Sequence, residues 1–393
     1  MENNTVQALM EEFCSQTGLP AAGTGAGAAR RYLWTDAFGV CNYLTLYEQS
    51  GREAHLQMAL NLVDQVHEVL GCHRDDDPRR GWISGLDERQ GRLHPTAGGL
   101  RIGKKMQERQ PGEPFDESLE WERDGQYYHY LTKWMHALCC VNRAIDNPVY
   151  TAWAKELAER VHNAFCFTAG GATKRLYWKM SIDLSRPQVD AMGHHDPLDG
   201  LITCLEIRER AVEQPEMDLS ALDAAIIDLA DMCQGVNWTT PDPLGLGGLL
   251  TDTWHLAQLQ STGAQIPLPG LLQDMLDAAI VGLSIYMRDN SMHLPAAHRL
   301  AFRELGLAIG LQAVKRIETL VARRPELFNS ESRLDTLLNA LQPYLPLQEQ
   351  IERFWLEPQN RKVPSWKEHA DINMVMLATS LAPGWYLDLQ SKR

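Results

Sequence analysis

Histidine, tryptophan and carboxylate side chains gather at the heads of this sequence's apolar-periodic segments, and together they can move protons and hold a ligand. Six alternate segments begin this way. The first carries Trp34 and Asp36; the second carries Tyr127, His129 and Lys133, after Glu120-Trp121-Glu122-Arg123-Asp124. The third opens with His194, His195, Asp196 and Asp199, and the fourth carries Asp252, Trp254 and His255. The fifth holds His293, His298, Arg299 and Glu304, and the sixth His369, Asp371 and Asn373. Asp and Asn at a helix start are accounted for by capping and by the helix dipole. His and Trp are not, so these starts are expected to face a ligand.

The sharpest string is Met192-Gly193-His194-His195-Asp196-Pro197-Leu198-Asp199-Gly200. Pro197 suits the first turn of a helix, Gly193 would allow an unusual backbone angle, and His195 or Asp196 would stand at the N-terminus. The plain alternative is a capped helix with solvated side chains. General acid and base work needs carboxyls in contrasting environments, for which the candidates are Asp36, Glu120, Asp124, Asp196 and Asp199. Glu120 and Asp124 adjoin Trp121 and Tyr127, whose rings would desolvate a carboxyl and raise its pKa. The same acidic stretch also reads as a solvated loop.

Other chemistries are less well supported. Gly98 to Lys105 matches the glycine and lysine spacing of a phosphate loop, but Lys105 replaces the magnesium-binding hydroxyl and no buried strand precedes it. Arg101, Lys104, Lys105 and Arg109 instead form a basic island able to steer or clamp an anion, or simply a charged lid. No HExxH or CxxC motif is present, so no metal and no cofactor is expected from motifs, although His195, His255 and His369 could meet if the fold brought them together. The eight cysteines read as reduced, mostly buried thiols, and the vicinal Cys139-Cys140 pair shows no obvious basic neighbour. No GxSxG nucleophile turn occurs.

The elements that must position these residues are helices. Apolar residues at helical spacing predict twelve of them, at about 33–50, 54–71, 125–145, 149–166, 195–212, 220–234, 248–261, 270–288, 296–323, 331–343, 346–355 and 369–382. A shorter one at 4–16 precedes a flexible Gly23-Thr24-Gly25-Ala26-Gly27 stretch. Short connections such as Gln49-Ser50-Gly51-Arg52 and Asp146-Asn147-Pro148 make hairpins of them. Ala59-x2-Leu62-x3-Val66-His67 recurs 95 residues on as Ala154-x2-Leu157-x3-Val161-His162, one hairpin used twice. The long offset reflects an insertion at 72–124, with a second at 168–193 where Arg175 to Leu184 alternates like a strand.

This pattern resembles the six-hairpin, or (α/α)6 toroid, superfamily of glycosidases, polysaccharide lyase relatives and N-acylglucosamine 2-epimerases. Leu33-Trp34-Thr35-Asp36-Ala37-Phe38-Gly39-Val40 with the Ala59 hairpin, recurring over residues 30–385, carries the resemblance. It implies an all-α toroid of six hairpins with an irregular, β-containing lid, inner helices alternating with outer ones, and a pocket at one mouth. Residues 1–29 would be a helix and linker, and 386–393 a tail. A carbohydrate-active enzyme is then expected, most simply a glycoside hydrolase acting on a small-molecule or oligosaccharide substrate, an anionic one included. A carboxylate among Glu120, Asp124 and Asp196 would be the acid, while Trp34, Trp121, Tyr127 and Trp254 would stack on sugar, with Arg101, His129, Asp199, Arg299 and Asn373 as polar contacts. The alternative implied by the epimerases is proton transfer by paired histidines, His194 or His195 with His255 or His369. Their motif begins with a Gly-His step like Gly193-His194, but this chain lacks the Glu and aromatic residues that follow it. A binding protein without catalysis is the third reading.

Composition supports a globular chain. Among 393 residues, 44% are hydrophobic, with 11 Trp and 11 Tyr, which argues against disorder. A net charge of −14 argues against nucleic acid as partner. No apolar run suits a membrane span and no signal sequence is visible, so a cytoplasmic home is expected.

Overall fold

A computed structural model describes residues 2–19, 29–170, 173–212, 214, 216–328 and 331–390. The glycine-rich stretch at 23–27 lies outside the described residues. Two compact units make up the chain, Cys14–Cys233, and Met1–Phe13 with Gln234–Arg393. The fold is all-α, of the (α/α)6 class, and all twelve expected helices form. No helix among the described residues is long and apolar enough to cross a membrane.

Helix α1 (Glu2–Thr17) buries Val6, Leu9, Met10 and Phe13, the i, i+3, i+4, i+7 stripe of a helix packed on one side. In the unit of Cys14–Cys233, α2 (Leu33–Ser50) is buried continuously from Leu33 to Leu46. Its partner α3 (Glu53–Leu70) buries only Ala59, Leu62, Val63, Val66, His67 and Leu70. The same contrast holds for α4 (Tyr128–Ile145) against α5 (Val149–Phe165), and for α6 (Asp196–Ala211) against α7 (Ser220–Cys233). Helices covered all round alternate with helices covered on one face, which is the inner and outer arrangement of hairpins. Each fully buried Leu or Val of an outer stripe contributes about 1.5–3 kcal/mol. The turns are built for the purpose: Gly51 takes φ 64° and its N–H returns to Tyr47 O, while Asp146 takes φ 52° between α4 and α5.

The insertions are largely irregular, with short strands. Strands β1 (Gln126–Tyr127), β4 (Lys179–Met180) and β5 (Pro187–Val189) form an antiparallel sheet in the order β1-β4-β5, while β2 (Cys166–Ala169) and β3 (Thr173–Leu176) pair separately. The stretch expected as one strand at 175–184 is therefore broken at Tyr177-Trp178 into pieces of two sheets. Strand β1 runs directly into α4, so its register with β4, Tyr127 opposite Lys179, sets how α4 begins.

In the other unit lie α8 (Pro243–Ser261), α9 (Leu271–Tyr286), α10 (Ala301–Arg323), α11 (Leu334–Leu341), α12 (Pro346–Leu356) and α13 (Ala370–Leu381). The largest differences from expectation are at two helix starts. α8 begins at Pro243, capped by Asp242, because Leu244-Gly245-Leu246-Gly247-Gly248 is helix rather than linker, with Gly247 serving close packing. A Cβ on Gly247 would sit 2.0 Å from Gly306 O of α10. α10 begins at Ala301, and 3-10 turns at Asn290–His293 and Ala296–His298 precede it.

Candidate active site

Asp196 opens α6, with His195 as N-cap and Pro197 in the first turn, so the helix forms where the sequence places it. The reason for Gly193 is different from the expected one. Its φ is not in the left-handed region; instead, a Cβ there would lie 2.4 Å from the Asp196 carboxyl. Glycine lets the chain fold tightly over this carboxyl.

Around Asp196 the sheet and α4 assemble an aromatic wall. His129 Nδ1 lies 3.6 Å from Asp196 Oδ1. The His129 ring stacks with Tyr127 at 5.5 Å and with Trp178 at 6.3 Å, and meets Trp34 edge-on at 6.0 Å. Tyr130 closes against Trp34 at 5.2 Å and shares a 2.7 Å hydrogen bond with Tyr32. Beyond Asp196, Asp199 one turn along α6 accepts hydrogen bonds from Lys133 Nζ at 2.6 Å and Thr132 Oγ1 at 2.5 Å. Four buried polar atoms of this cluster have no hydrogen-bond partner: Asp196 Oδ2, His129 Nδ1, Trp34 Nε1 and Tyr127 OH. Leaving such atoms unpaired costs about 1–3 kcal/mol each, so a cluster of them marks a place where a ligand can supply the partners.

Electrostatics follow from burial. Asp196 is pushed up to about 8, chiefly by desolvation and then by the neighbouring Asp199 charge, with Lys133 opposing. Desolvation pulls His129 down to about 4, although a quarter of its side chain remains exposed. The proximity of the two groups suggests an ion pair, but at neutral pH burial favours a carboxylic acid facing a neutral imidazole.

The remaining candidates fall into two other sets. Asp124, fully buried, accepts from Arg101 at 3.0 Å, Arg74 at 3.2 Å, and the N–H groups of Gly103 at 2.9 Å and Gly125 at 3.1 Å. Glu120 accepts from Arg109 at 2.6 Å and meets buried Lys179 at 3.3 Å. Arg101 and Arg109 of the expected basic island thus hold two of the expected carboxylates, and Gly103 of the near phosphate loop cradles a carboxylate of its own chain. Exposed Trp121 meets Trp178 of the wall edge-on, at 4.8 Å. Asp36 accepts the N–H of Tyr32, the N-cap of α2, at 2.9 Å and meets Arg31 at 3.5 Å. His194 and His195 lie side by side, ring centroids 4.7 Å apart, on the approach to α6.

The second set lies in the other unit. Trp254 and His255 sit deep in α8, not at its start, and His255 Nε2 bonds Tyr386 O at 3.1 Å. Arg299 forms a bidentate pair with Glu304, at 2.8 and 2.7 Å, and stacks on Phe354. Asn373 bridges Phe302 N–H and Trp366 O, and exposed His369 caps α13 beside Phe302.

Sequence reasoning missed Trp178, Tyr130 and Tyr32. Trp178 had a signal, an aromatic within an extended segment, but its place beside Tyr127 depends on strand register. Cys140, which showed no basic neighbour in the linear sequence, has His136 Nε2 3.6 Å away, one helical turn back. Potential metal-ligand groups among the described residues are Cys41, His136 and Cys140, and His162, Cys166 and Asp228. In the latter, Lys174 already engages Asp228.

No protein-family model matches the sequence, and no curated protein does. Solved structures do. The GH76 alpha-mannanase of Bacteroides thetaiotaomicron shares 11% identity over 96% of each chain, with a TM-score of 0.55. An inactive variant of the alpha-1,6-mannanase GH76A of Salegentibacter, in complex with alpha-1,6-mannotriose, shares 13% over 98% of this chain and 99% of that one, with a TM-score of 0.51. A sugar epimerase from a ruminal bacterium shares 11% over 97% and 98%, at 0.49. The two mannanases establish the six-hairpin toroid as this chain's fold.

Proposed function

We propose that this chain is a carbohydrate-active enzyme, with glycoside hydrolysis as its reaction and Asp196 as the general acid. The observation that carries the reading is the gathering of four unpartnered buried polar atoms on the aromatic wall around Asp196. A carboxyl kept protonated to about 8 can donate to a leaving glycosidic oxygen at neutral pH. The neighbouring Asp199, paired with Lys133, helps Asp196 retain the proton. Half-buried Trp178 offers a ring face for stacking against a pyranose, with buried Trp34 and Tyr127 as part of the wall beside it. Arg101 and Arg109 are committed to Asp124 and Glu120, which favours a neutral sugar over an anionic one.

Epimerisation is the second reading and has its own support. His129, neutral above about pH 4, is a base 3.6 Å from an acid, and such a pair suits proton removal and return. The two mannanases, with TM-scores of 0.55 and 0.51, support the hydrolytic reading.

Incubation with α- and β-linked oligosaccharides, alpha-1,6-mannotriose among them, separates the readings by mass spectrometry and chromatography. Hydrolysis adds one water per bond cut, whereas epimerisation changes retention without changing mass. Asp196→Asn is expected to lower the rate about 10²–10⁴-fold. Absence of both turnover and calorimetric binding across the sugars overturns the proposal.

A further inference from the structure

Away from the Asp196 cluster, two helices of the same unit bring three soft donors together in a dry interior. Cys41 of α2 meets His136 and Cys140 of α4, and the three donor atoms lie within 4.8 Å of one another. All three residues are buried, the cysteines at 1% exposure. His136 and Cys140 are four residues apart, one turn, so their side chains share a helix face. Cys140 Sγ is 3.6 Å from His136 Nε2. A tetrahedral zinc ion with ordinary Zn–S and Zn–N bonds spans about 3.6 Å between those two ligand atoms. His136 turns its other nitrogen, Nδ1, to Glu206 of α6, at 2.8 and 3.1 Å from the carboxylate oxygens. A carboxylate in that position fixes the tautomer that leaves Nε2 available to a metal.

We propose that Cys41, His136 and Cys140 form a binding site for a thiophilic divalent cation, with zinc as the best match and Glu206 as the outer carboxylate that orients His136. Charge balance selects the divalent ion. Two thiolates and a neutral imidazole cancel a double positive charge, whereas a monovalent ion adds a net negative charge to that of Glu206 in an apolar interior. Binding releases the two thiol protons to solvent. Three protein donors leave a fourth position for water or another small ligand. The site is independent of the sugar chemistry proposed for Asp196.

The test uses the full chain, reduced and freed of metal, titrated with Co²⁺ and separately with Zn²⁺. One equivalent of Co²⁺ is expected to produce thiolate-to-cobalt absorption in the near ultraviolet, displaced by one equivalent of Zn²⁺. Cys140→Ala and Cys41→Ala should lose that absorption, Glu206→Gln should weaken binding about 10–100-fold, and Cys204→Ala should leave it unchanged. Zinc-edge X-ray absorption on the unmutated chain covers the case in which a variant fails to fold, and two sulfur neighbours with at least one nitrogen are expected. Less than a tenth of an equivalent bound by the folded chain overturns the proposal. So does a shell without sulfur, or an undiminished signal in the cysteine variants.

Discussion

Asp196 and His129 stand 3.6 Å apart, and burial neutralises both, raising the carboxyl to about 8 and lowering the imidazole to about 4. Any reaction that uses Asp196 as acid and His129 as base should therefore have a broad pH optimum. The rate should fall below about pH 4 as His129 takes up a proton, and above about pH 8 as Asp196 loses one. A pH–rate profile checks this, and an alkaline limb that persists unchanged in Asp196→Asn rules Asp196 out as its source.

The same two shifts act on stability with opposite signs. Between its unfolded pKa near 4 and its folded value of about 8, Asp196 binds more proton in the folded state, so stability falls as pH rises, by up to about 1.4 kcal/mol per unit. His129 binds more proton in the unfolded state between about 4 and about 6.5, so there its contribution rises with pH. The two slopes cancel in that window, and above it Asp196 acts alone. The His129 contribution is common to both proteins, so thermal melts of Asp196→Asn and wild type should diverge in the variant's favour from about pH 4 to about pH 8. A difference flat in pH contradicts a protonated Asp196.

Gly193→Ala tests how the acid is positioned. The added Cβ meets the Asp196 carboxyl at 2.4 Å, and Gly193 itself is only partly buried. Activity should drop at least tenfold with the melting temperature changed by no more than a few degrees, because the collision is with one side chain. A variant with full activity would show that the carboxyl can turn aside without cost to the reaction.

Asp124→Asn addresses the carboxylate that sequence reasoning also favoured. Removing its charge leaves Arg101 and Arg74 together without their shared counter-ion, at a cost of about 3–5 kcal/mol. Chemical denaturation should show that loss, while kcat per folded molecule stays near wild type. A large fall in kcat with stability intact would instead make Asp124 part of the chemistry.

At the crossing of α8 and α10, Gly247→Ala forces a methyl against Gly306 O at 2.0 Å. Backbone cannot rotate away as a side chain can, so a loss at or above the usual 1–3 kcal/mol of overpacking is expected in denaturant melts. Gly248→Ala, with open space around its Cβ, is the control and should be neutral or slightly stabilising.

How much of this was legible in the sequence depends on the range of the interaction. The helices were, because the stripe Ala59, Leu62, Val66 is a local pattern that burial alone imposes. The opening of α6 was also legible, since Pro197 and the residues around it announce a helix start. The beginning of α8 was not, because Gly245, Gly247 and Gly248 look like a linker until α10 is seen pressed against Gly247. The site was half visible. Trp34, Tyr127, His129, Asp196 and Asp199 were all singled out, but nothing local told their fate from that of Asp124 or Arg299. Ion pairing decides that difference, and the partners of Asp124 come from residues 23 and 50 positions away.

The duplicated hairpin places His67 on α3 and His162 on α5 at the same point of their repeats. His67 is enclosed, its Nε2 accepting from Trp134 Nε1 at 3.2 Å, and desolvation holds it neutral at about 3. His162 instead faces Asp228 at 2.9 Å, near the surface. Duplication therefore copies the coordinates of a side chain and leaves its chemistry to the neighbours. Matching positions of two helices can thus carry unlike chemistry on one and the same helical frame.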